Sequence, residues 1–287
     1  MTHPKVVISG ASGFLGRHLC RHLSVQGFEV VALTRKPAHQ SRLWTTLQVP
    51  SYYEIPDFPG AVCLHLAGEN RAYEVARSFD EYREESLALL ETLTKKGFAQ
   101  IALASSAAVY GDREGVYVYE ESETPRPTGD YGRLKLDLEK ALLTVVPHGL
   151  ILRFSNIYGP GMSSESLLGV LMIQIKRGDP NVAVRSLNSV RDYLWIEDAC
   201  QAVRVLLSGR GQGIFNVSTG VGVSIPQLLE ELRQTSGSQF GVDTSETSDF
   251  TQVFQLALSS KKLQSAYGWK PETSLREGLS QWFKEIT

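Results

Sequence analysis

A glycine-rich turn near the start of the chain most constrains how it can fold. Gly10, Gly13 and Gly16 recur at intervals of three residues, directly after the β-branched run Lys5–Ser9. The residues that follow, Leu15–Gln26, have the apolar periodicity of a helix. Glycines between a strand and a helix permit a tight turn, close approach of a pyrophosphate, and close packing of helix on strand. The turn therefore predicts a dinucleotide-binding unit here.

Further along, short apolar runs alternate with longer helical patterns, which is typical of a parallel sheet with crossover helices. The predicted strands are Lys5–Ser9, Glu29–Thr34, Tyr52–Ile55, Val62–Leu66, Gln100–Ser105 and Leu150–Phe154. The predicted helices are Leu15–Gln26, Phe79–Lys96, Asp130–Thr144, Ser164–Arg177, Ile196–Ser208 and Ile225–Thr235. We expect an α/β fold with a Rossmann-type doubly wound parallel sheet at residues 1–158. A smaller, mainly substrate-binding lobe is expected at 159–287, with some segments returning to the sheet.

Composition narrows the class of protein. Hydrophobic residues are 42% and charged residues 21% of the 287 residues, which is ordinary for a globular enzyme. The net charge of -2 argues against a nucleic-acid binder, because such proteins carry a basic excess or stripe. No apolar run approaches the roughly 18 residues of a membrane span, so we expect no membrane partner. The three cysteines lie far apart, which favours reduced thiols, a cytoplasmic location and no metal site.

The end of the second predicted strand bears on which dinucleotide binds. An acidic residue about 20 residues after the glycine turn would bind the adenine-ribose 2′-hydroxyl of NAD. This chain has Thr34, Arg35 and Lys36 there instead, and cationic side chains pair well with the 2′-phosphate of NADP. We therefore expect NADP, with NAD as the alternative. A second interpretation is that Arg35 and Lys36 are ordinary solvated surface cations.

Tyr131 and Lys135 lie four residues apart, on one face of a predicted helix. A cation beside a tyrosine stabilises the phenolate and makes the phenol usable as a general acid or base. The pair alone decides little, because this spacing arises easily by chance. Ser105 and Ser106 add weight, since ligands in open α/β sheets bind outside the carboxyl ends of the strands. A hydroxyl there can hydrogen-bond a substrate oxygen while the tyrosine transfers the proton.

Taken together, the motifs resemble those of the extended short-chain dehydrogenases/reductases, in the NAD(P)-dependent epimerase/dehydratase family that acts on nucleotide sugars. The resemblance rests on eight motifs in order: Gly10–Gly16, His65–Gly68, Ser105–Gly111, Tyr131–Lys135, Leu152–Gly161, Arg191–Asp198, Phe215–Gly220 and Tyr267–Pro271. It implies that Tyr131 is the catalytic acid or base and that Ser106 polarises the substrate. Lys135 would assist Tyr131 and hold the nicotinamide ribose.

The same resemblance implies further contacts and a quaternary structure. The implied cofactor-binding positions are Gly10, Ser12, Gly13, Phe14, Leu15, Gly16, Thr34, Arg35, Lys36, Leu66, Ala67, Gly68, Tyr131, Lys135 and Phe154. Beside Ser106, the substrate would contact Asn156 and Arg191 through its phosphates, although Arg191 also suits an ion pair between lobes. A homodimer would form through the helices Phe79–Lys96 and Asp130–Thr144.

The two positions after Ser106 exclude one branch of the family. Dehydratases of the family carry an Asp-Glu pair there, whereas this chain has Ala107 and Ala108. Two main enzyme functions remain: reduction of a nucleotide-linked 4-keto sugar by NADPH with Tyr131 as proton donor, and 4-epimerisation with retained NAD. Reduction of a smaller carbonyl compound is a lesser alternative. The run Thr34–Lys36 favours the reductase. A non-catalytic NADP-binding regulatory protein is a third possibility, against which the intact Ser, Tyr and Lys set argues.

Overall fold

Parallel strands dominate the computed structural model, which describes residues 3–36, 41–69, 71–115, 117–146, 148–184, 187–244 and 254–286. The strands are β1 Lys5–Ser9, β2 Glu29–Thr34, β3 Thr45–Gln48, β4 Val62–His65, β5 Gln100–Ser106, β6 Arg113–Glu114, β7 Val118–Tyr119, β8 Leu150–Phe154, β9 Asn156–Tyr158, β10 Asn181–Val184, β11 Ser189–Arg191, β12 Tyr193–Trp195, β13 Gly213–Val217, β14 Val223–Ser224, β15 Gly241–Thr244 and β16 Phe254–Leu258.

Helices connect most of these strands. They are α1 Phe14–Val25, α2 Ala72–Arg77, α3 Phe79–Thr94, α4 Asp130–Val145, α5 Leu167–Arg177, α6 Ile196–Ser208, α7 Ile225–Ser236, α8 Lys261–Tyr267 and α9 Leu275–Ile286. Two short 3-10 helices, Tyr52–Glu54 and Ala107–Val109, follow β3 and β5. The six predicted helices all form, with bounds that differ from the prediction by at most a turn.

The main sheet has seven strands in the order β13-β8-β5-β4-β1-β2-β3, and every neighbouring pair is parallel. The order reverses between β1 and β4, so a crevice opens at their carboxyl ends, where ligands of doubly wound sheets bind. The predicted Rossmann-type fold class is confirmed. One edge strand, β13, comes from the C-terminal part of the chain.

Both faces of this sheet are buried, which explains the nearly continuous apolar runs of its strands. Val6 and Ile8 belong to the apolar core shared with α1, α5 and α6, whereas Val7 belongs to the core shared with α3 and α4. This division follows from the alternation of side chains along a strand. The helices that cover the sheet are amphipathic, because each buries one apolar stripe against it.

The prediction of a strand at Tyr52–Ile55 is wrong. The third strand of the sheet is the polar segment Thr45–Gln48, which pairs with β2 at the sheet edge. Tyr52–Glu54 is a 3-10 helix, started by a hydrogen bond from the Tyr53 amide to the Ser51 hydroxyl at 3.2 Å. Tyr52 and Ile55 are three residues apart and both buried, and a turn with about three residues per repeat puts them on one side.

A buried ion pair ties α4 to the sheet. Glu139 of α4 and Arg153 of β8 are each only 2% exposed, and Arg153 Nε and Nη2 lie 3.0 and 2.6 Å from the two carboxylate oxygens. The Ser105 hydroxyl of β5 donates to the same carboxylate. Arg153 also donates to the Tyr110 hydroxyl at 2.9 Å, which donates in turn to Asn216 of β13. The network therefore joins α4 to three adjacent strands.

We predict that Glu139→Gln lowers the free energy of unfolding by about 3–5 kcal/mol, because it leaves the Arg153 guanidinium buried without a counter-charge. Urea denaturation of the purified variant measures this loss. The control is Asp137→Asn on the same helix, which breaks a half-buried, solvent-accessible pair with Arg83 at 2.6 Å and should cost less than about 1 kcal/mol. Similar losses in the two variants would contradict the assignment.

Candidate active site

The glycine turn lies in the crevice between β1 and β4. Gly10 has a φ of +71°, and a Cβ there would lie 2.8 Å from the backbone nitrogen of Ala67. A Cβ at Gly16 would collide with the carbonyl oxygen of Gly10. The amide of Gly13 donates to that same oxygen at 2.9 Å, which closes the turn. The backbone is thus packed so closely that side chains at Gly10 and Gly16 are excluded.

The first turn of α1 follows directly from Gly13, its N-cap residue. Within the described part of the chain, no side chain caps this helix end, so the first amides are available to a ligand. Ser12 is exposed, and Phe14 and Leu15 are half-buried at the same end of the helix. A helix N-terminus with free amides favours a phosphate group. The turn and the helix together fit the pyrophosphate of a dinucleotide.

A hydrogen-bonded serine joins the carboxyl ends of β1 and β4. The Ser9 hydroxyl accepts from the amides of Leu66 and Ala67 at 3.2 and 3.3 Å. Its own hydrogen then points to His65 Nδ1, 2.7 Å away. His65 is 2% exposed, and burial together with the charge of Lys135 lowers its pKa to about 3. His65 is a neutral structural residue that shapes the segment ending at Gly68.

At the end of β2, the hydroxyl of buried Thr34 accepts from the Lys36 amide at 3.1 Å and donates to the Lys36 carbonyl at 3.0 Å. Arg35 and Lys36 are exposed. The guanidinium carbon of Arg35 lies 5.2 Å from the ring centroid of Tyr52, and the Tyr52 hydroxyl accepts from the Gly10 amide at 3.1 Å. The sequence analysis missed Tyr52 as a site residue, because its partners lie far away along the chain.

The face of α4 that lies on the sheet carries Tyr131, Lys135 and Glu139 at intervals of four residues. Lys135 Nζ donates to the carbonyl oxygen of Ala104 in β5 at 3.1 Å and lies 5.7 Å from the ring centroid of Tyr131. A Cβ at Gly132 would collide with the carbonyl oxygen of Ala108. The first turn of α4 is therefore pressed against the segment that follows Ser106.

Ser106 is the last residue of β5 and caps the 3-10 helix that follows. Its Oγ accepts from the Ala108 amide at 3.2 Å, so the hydroxyl hydrogen remains available to a substrate oxygen. Ser106 lies in register with Phe154 of β8, which is 5% exposed. Sequence reasoning also missed the buried pair of Glu139 and Arg153. The continued four-residue spacing after Lys135 is a signal for Glu139, but no such spacing leads to Arg153.

The two predicted phosphate ligands lie on strands that follow β8. Asn156 opens β9, pairs in register with Tyr193, and has an exposed side chain. Arg191 ends β11, and its Nη2 lies 3.2 Å from the carboxylate of Asp112. The structure thus has Arg191 in an ion pair with the segment after β5, which is the alternative that the sequence analysis kept open.

Comparison with protein families adds an independent line of support. Residues 6–218 match the model of the NAD dependent epimerase/dehydratase family. The chain belongs to this family, and its resemblance to the extended short-chain dehydrogenases/reductases is confirmed. It is accordingly an enzyme of a family whose cofactor is NAD or NADP, while the choice between the two stays open.

Individual relatives include both enzyme types that the sequence analysis left open. The chain is 28% identical over 314 residues to GDP-6-deoxy-D-mannose reductase of Pseudomonas aeruginosa, which covers 98% of each chain. It is 25% identical over 321 residues to UDP-glucose 4-epimerase of Azospirillum brasilense, with 96% and 90% covered. The solved structure of MoeE5 in complex with UDP-glucuronic acid and NAD superposes with a TM-score of 0.86 at 25% identity, over 99% of this chain and 100% of that one.

The expectations of no membrane partner and of a nucleotide-sugar substrate can be compared with the structure and its relatives. None of the helices in the described ranges has the length and apolarity that crossing a bilayer requires. The two solved structures of MoeE5 contain UDP-glucuronic acid and UDP-glucose, which are nucleotide sugars like the predicted substrate class. The predicted homodimer through α3 and α4 stays a prediction.

We predict that His65 makes the fold less stable as the pH falls from 7 to 5. The unfolded histidine, with a pKa near 6.5, gains a proton in this range, whereas the folded one, with a pKa of about 3, stays neutral. Stability is therefore lost below about pH 6.5, by roughly 2 kcal/mol at pH 5. Urea denaturation at both pH values should show this loss in the wild type and a correspondingly smaller one in His65→Asn. The same pH dependence in both proteins would refute the prediction.

Proposed function

We propose that the protein reduces a nucleotide-linked 4-keto sugar, with NADPH as reductant and Tyr131 as proton donor. The observation that carries this proposal is the cationic end of β2, where Arg35 and Lys36 are exposed and follow Leu33 and Thr34, with no acidic residue at the end of the strand. A carboxylate there would repel a 2′-phosphate, whereas guanidinium and ammonium groups bind it. The likeness to a GDP-6-deoxy-D-mannose reductase supports the same reaction class.

The cofactor would lie along the carboxyl ends of β1, β2 and β4. Its pyrophosphate would contact the turn Gly10–Gly16 and the first amides of α1, and its 2′-phosphate would contact Thr34–Lys36. The segment Leu66–Gly68 and Phe154 would line the nicotinamide half. Lys135, which already donates to the carbonyl oxygen of Ala104, has further ammonium hydrogens for the nicotinamide ribose.

The proton that the reduction needs would come from the protein's own side chains. When bound, NADPH supplies a hydride to the carbonyl carbon of the substrate. Tyr131 gives its phenolic proton to the carbonyl oxygen, so the ketone becomes an alcohol. Ser106 donates a hydrogen bond to the same oxygen and polarises the carbonyl. The Lys135 ammonium stabilises the phenolate left on Tyr131, and solvent returns the proton after the step.

We assign the phosphates of the substrate to Asn156 and Arg191. Both side chains belong to strands that follow β8, beside the carboxyl edge of the main sheet. Arg191 is held by Asp112, so a bound pyrophosphate would share or replace this carboxylate as its partner. An arginine suits this role because its fork of N–H donors matches phosphate oxygens.

A second candidate is a 4-epimerase that oxidises the sugar, allows the keto form to rotate, and returns the hydride to the opposite face. The observation in its favour is the likeness over the whole chain to MoeE5, whose structure contains UDP-glucuronic acid and NAD. Such an enzyme keeps its NAD through every turnover. The two candidates therefore differ in which dinucleotide the purified protein holds and how tightly.

The test is to denature the purified protein and identify the released nucleotide by mass, together with its stoichiometry. Release of NADP, or an empty site that binds NADPH better than NADH, would support the reductase. Screening of nucleotide-linked keto sugars by loss of NADPH absorbance would then identify the substrate. Near-stoichiometric NAD that resists dialysis would overturn the reductase and favour the epimerase.

We predict that Tyr131→Phe lowers kcat by about 10²- to 10⁴-fold, because the proton donor is lost while the ring stays. The Kd for NADPH should hardly change, since the phenolic hydrogen is needed for the reaction and not for cofactor binding. Stopped-flow absorbance and fluorescence titration give the two values. The control Tyr53→Phe removes a hydroxyl from a tyrosine that is 44% exposed and should keep the wild-type rate. A fully active Tyr131→Phe would exclude the proposed role.

A further inference from the structure

Tyr52 contacts two separate parts of the proposed cofactor site. Its side chain is buried at 8% exposure, and its hydroxyl accepts from the Gly10 amide of the glycine turn at 3.1 Å. Its ring faces the guanidinium of Arg35, 5.2 Å from the ring centroid. One side chain therefore spans from the turn expected at the pyrophosphate to the cation expected at the 2′-phosphate.

We propose that Tyr52 is a specificity-determining residue for the dinucleotide, which holds Arg35 in place for the 2′-phosphate of NADP. The inference rests on the proposed use of NADPH and deepens it. Tyr52 acts in two separable ways: the hydroxyl fixes the turn that every dinucleotide would share, and the ring supports the cation that only NADP would use.

The ring matters because Arg35 is exposed and its long side chain has many conformations in solution. Ordering such a side chain costs conformational entropy at the moment of binding. A guanidinium that stacks on an aromatic face is attracted to the ring electrostatically and loses part of that freedom beforehand. Its N–H donors lie in the plane of the group and stay available at the edge for phosphate oxygens. Tyr52 therefore preorganises Arg35.

The hydroxyl matters because Gly10 has a positive φ and packs against the backbone of Ala67. The amide of Gly10 lies at the start of the turn, where it needs an acceptor once it is out of water. The Tyr52 hydroxyl supplies this acceptor from the neighbouring 3-10 helix. Its loss would loosen the turn equally for NADPH and NADH, since both carry the pyrophosphate.

A simpler role must be separated from this one. Tyr52 also belongs to an apolar cluster with Val49 and Ile55, so any truncation removes core contacts. A packing role would weaken the binding of both dinucleotides, or the stability of the fold, without regard to the 2′-phosphate. The ratio of the Kd values for NADH and NADPH is therefore the deciding quantity, because a change in general packing cancels from it.

The experiment measures the Kd of NADPH and of NADH by fluorescence titration on the full-length protein and five variants. Tyr52→Phe keeps the ring and should weaken both dinucleotides by a similar factor of about 3- to 10-fold, with the ratio unchanged. Tyr52→Leu removes the ring as well and should lower the preference for NADPH by about 2- to 5-fold. Tyr53→Phe, the neighbouring tyrosine whose hydroxyl donates to the Glu85 carbonyl, should change neither value.

The remaining two variants test whether Tyr52 acts through Arg35. Arg35→Gln should reduce the preference for NADPH. The double variant Arg35→Gln/Tyr52→Leu should have the same ratio of Kd values as Arg35→Gln alone, because the cation that Tyr52 supports is absent from both. This lack of additivity is the signature of two residues that act as a unit. An additive loss of preference in the double variant would refute the proposal. So would a wild-type ratio in Tyr52→Leu.

Failure of the inference is distinguishable from failure of the proposed function. A wild-type protein that prefers NADH would overturn the NADPH-dependent reductase and this inference together. A wild-type protein that prefers NADPH, with the same preference in Tyr52→Leu, would overturn the role of Tyr52 alone. Circular dichroism checks that each variant is folded. If Tyr52→Leu is not, Tyr52→Met takes its place, because its flexible, unbranched side chain adapts better to an irregular cavity and equally lacks an aromatic face.

Discussion

The geometry of the candidate site depends on the ion pair between Glu139 and Arg153. Two charges withdrawn from water are expensive, and their attraction compensates only when every remaining donor and acceptor is bonded. Here the Arg153 guanidinium donates to both oxygens of the Glu139 carboxylate. The Ser105 hydroxyl donates to the same carboxylate, and the Tyr110 hydroxyl accepts from the guanidinium. The arrangement tolerates one register of helix on sheet, because a shift of α4 by a single residue would break every bond that Glu139 makes.

That register decides where the other groups of the helix lie. Four residues along an α-helix advance it by about 6 Å on the same face. Starting from Glu139, one such step toward the N-terminus brings Lys135 to the Ala104 carbonyl, and a second brings Tyr131 to the carboxyl edge of the sheet. The alternation of a strand separates the neighbouring serines in the same way. Ser105 bonds to the ion pair, and Ser106 ends the strand with its hydroxyl hydrogen available.

Local signals in the sequence predicted much of this structure. The strands Lys5–Ser9, Glu29–Thr34 and Leu150–Phe154 have the bounds that their apolar runs predict, since strands buried on both faces leave a strong pattern. The polar edge strand Thr45–Gln48 has no such pattern, so the sequence predicts a strand at the more apolar segment Tyr52–Ile55 instead.

Contacts between distant residues account for the rest. Nothing near Glu139 in the sequence indicates Arg153, and nothing near Arg35 indicates Tyr52. Such pairs depend on the order of strands in the sheet, and a single sequence does not contain that order as a local pattern. The resemblance to a family supplied Ser106 and Asn156, which the residue pattern alone could not have separated from their neighbours.

The edge strand β13 has a consequence for the biosynthesis of the protein. Residues 1–158 look like a self-contained unit in the sequence, yet β8 ends at Phe154 and its neighbour in the sheet begins only at Gly213. A chain emerging from the ribosome therefore carries an open, apolar sheet edge until β13 has been translated. Unpaired edges of this kind recruit other strands, so the interval is a window for aggregation or for protection by a chaperone. The interval ends when β13 pairs with β8. The side chain of Asn216 then accepts a hydrogen bond from the Tyr110 hydroxyl, which helps to hold this last strand in place.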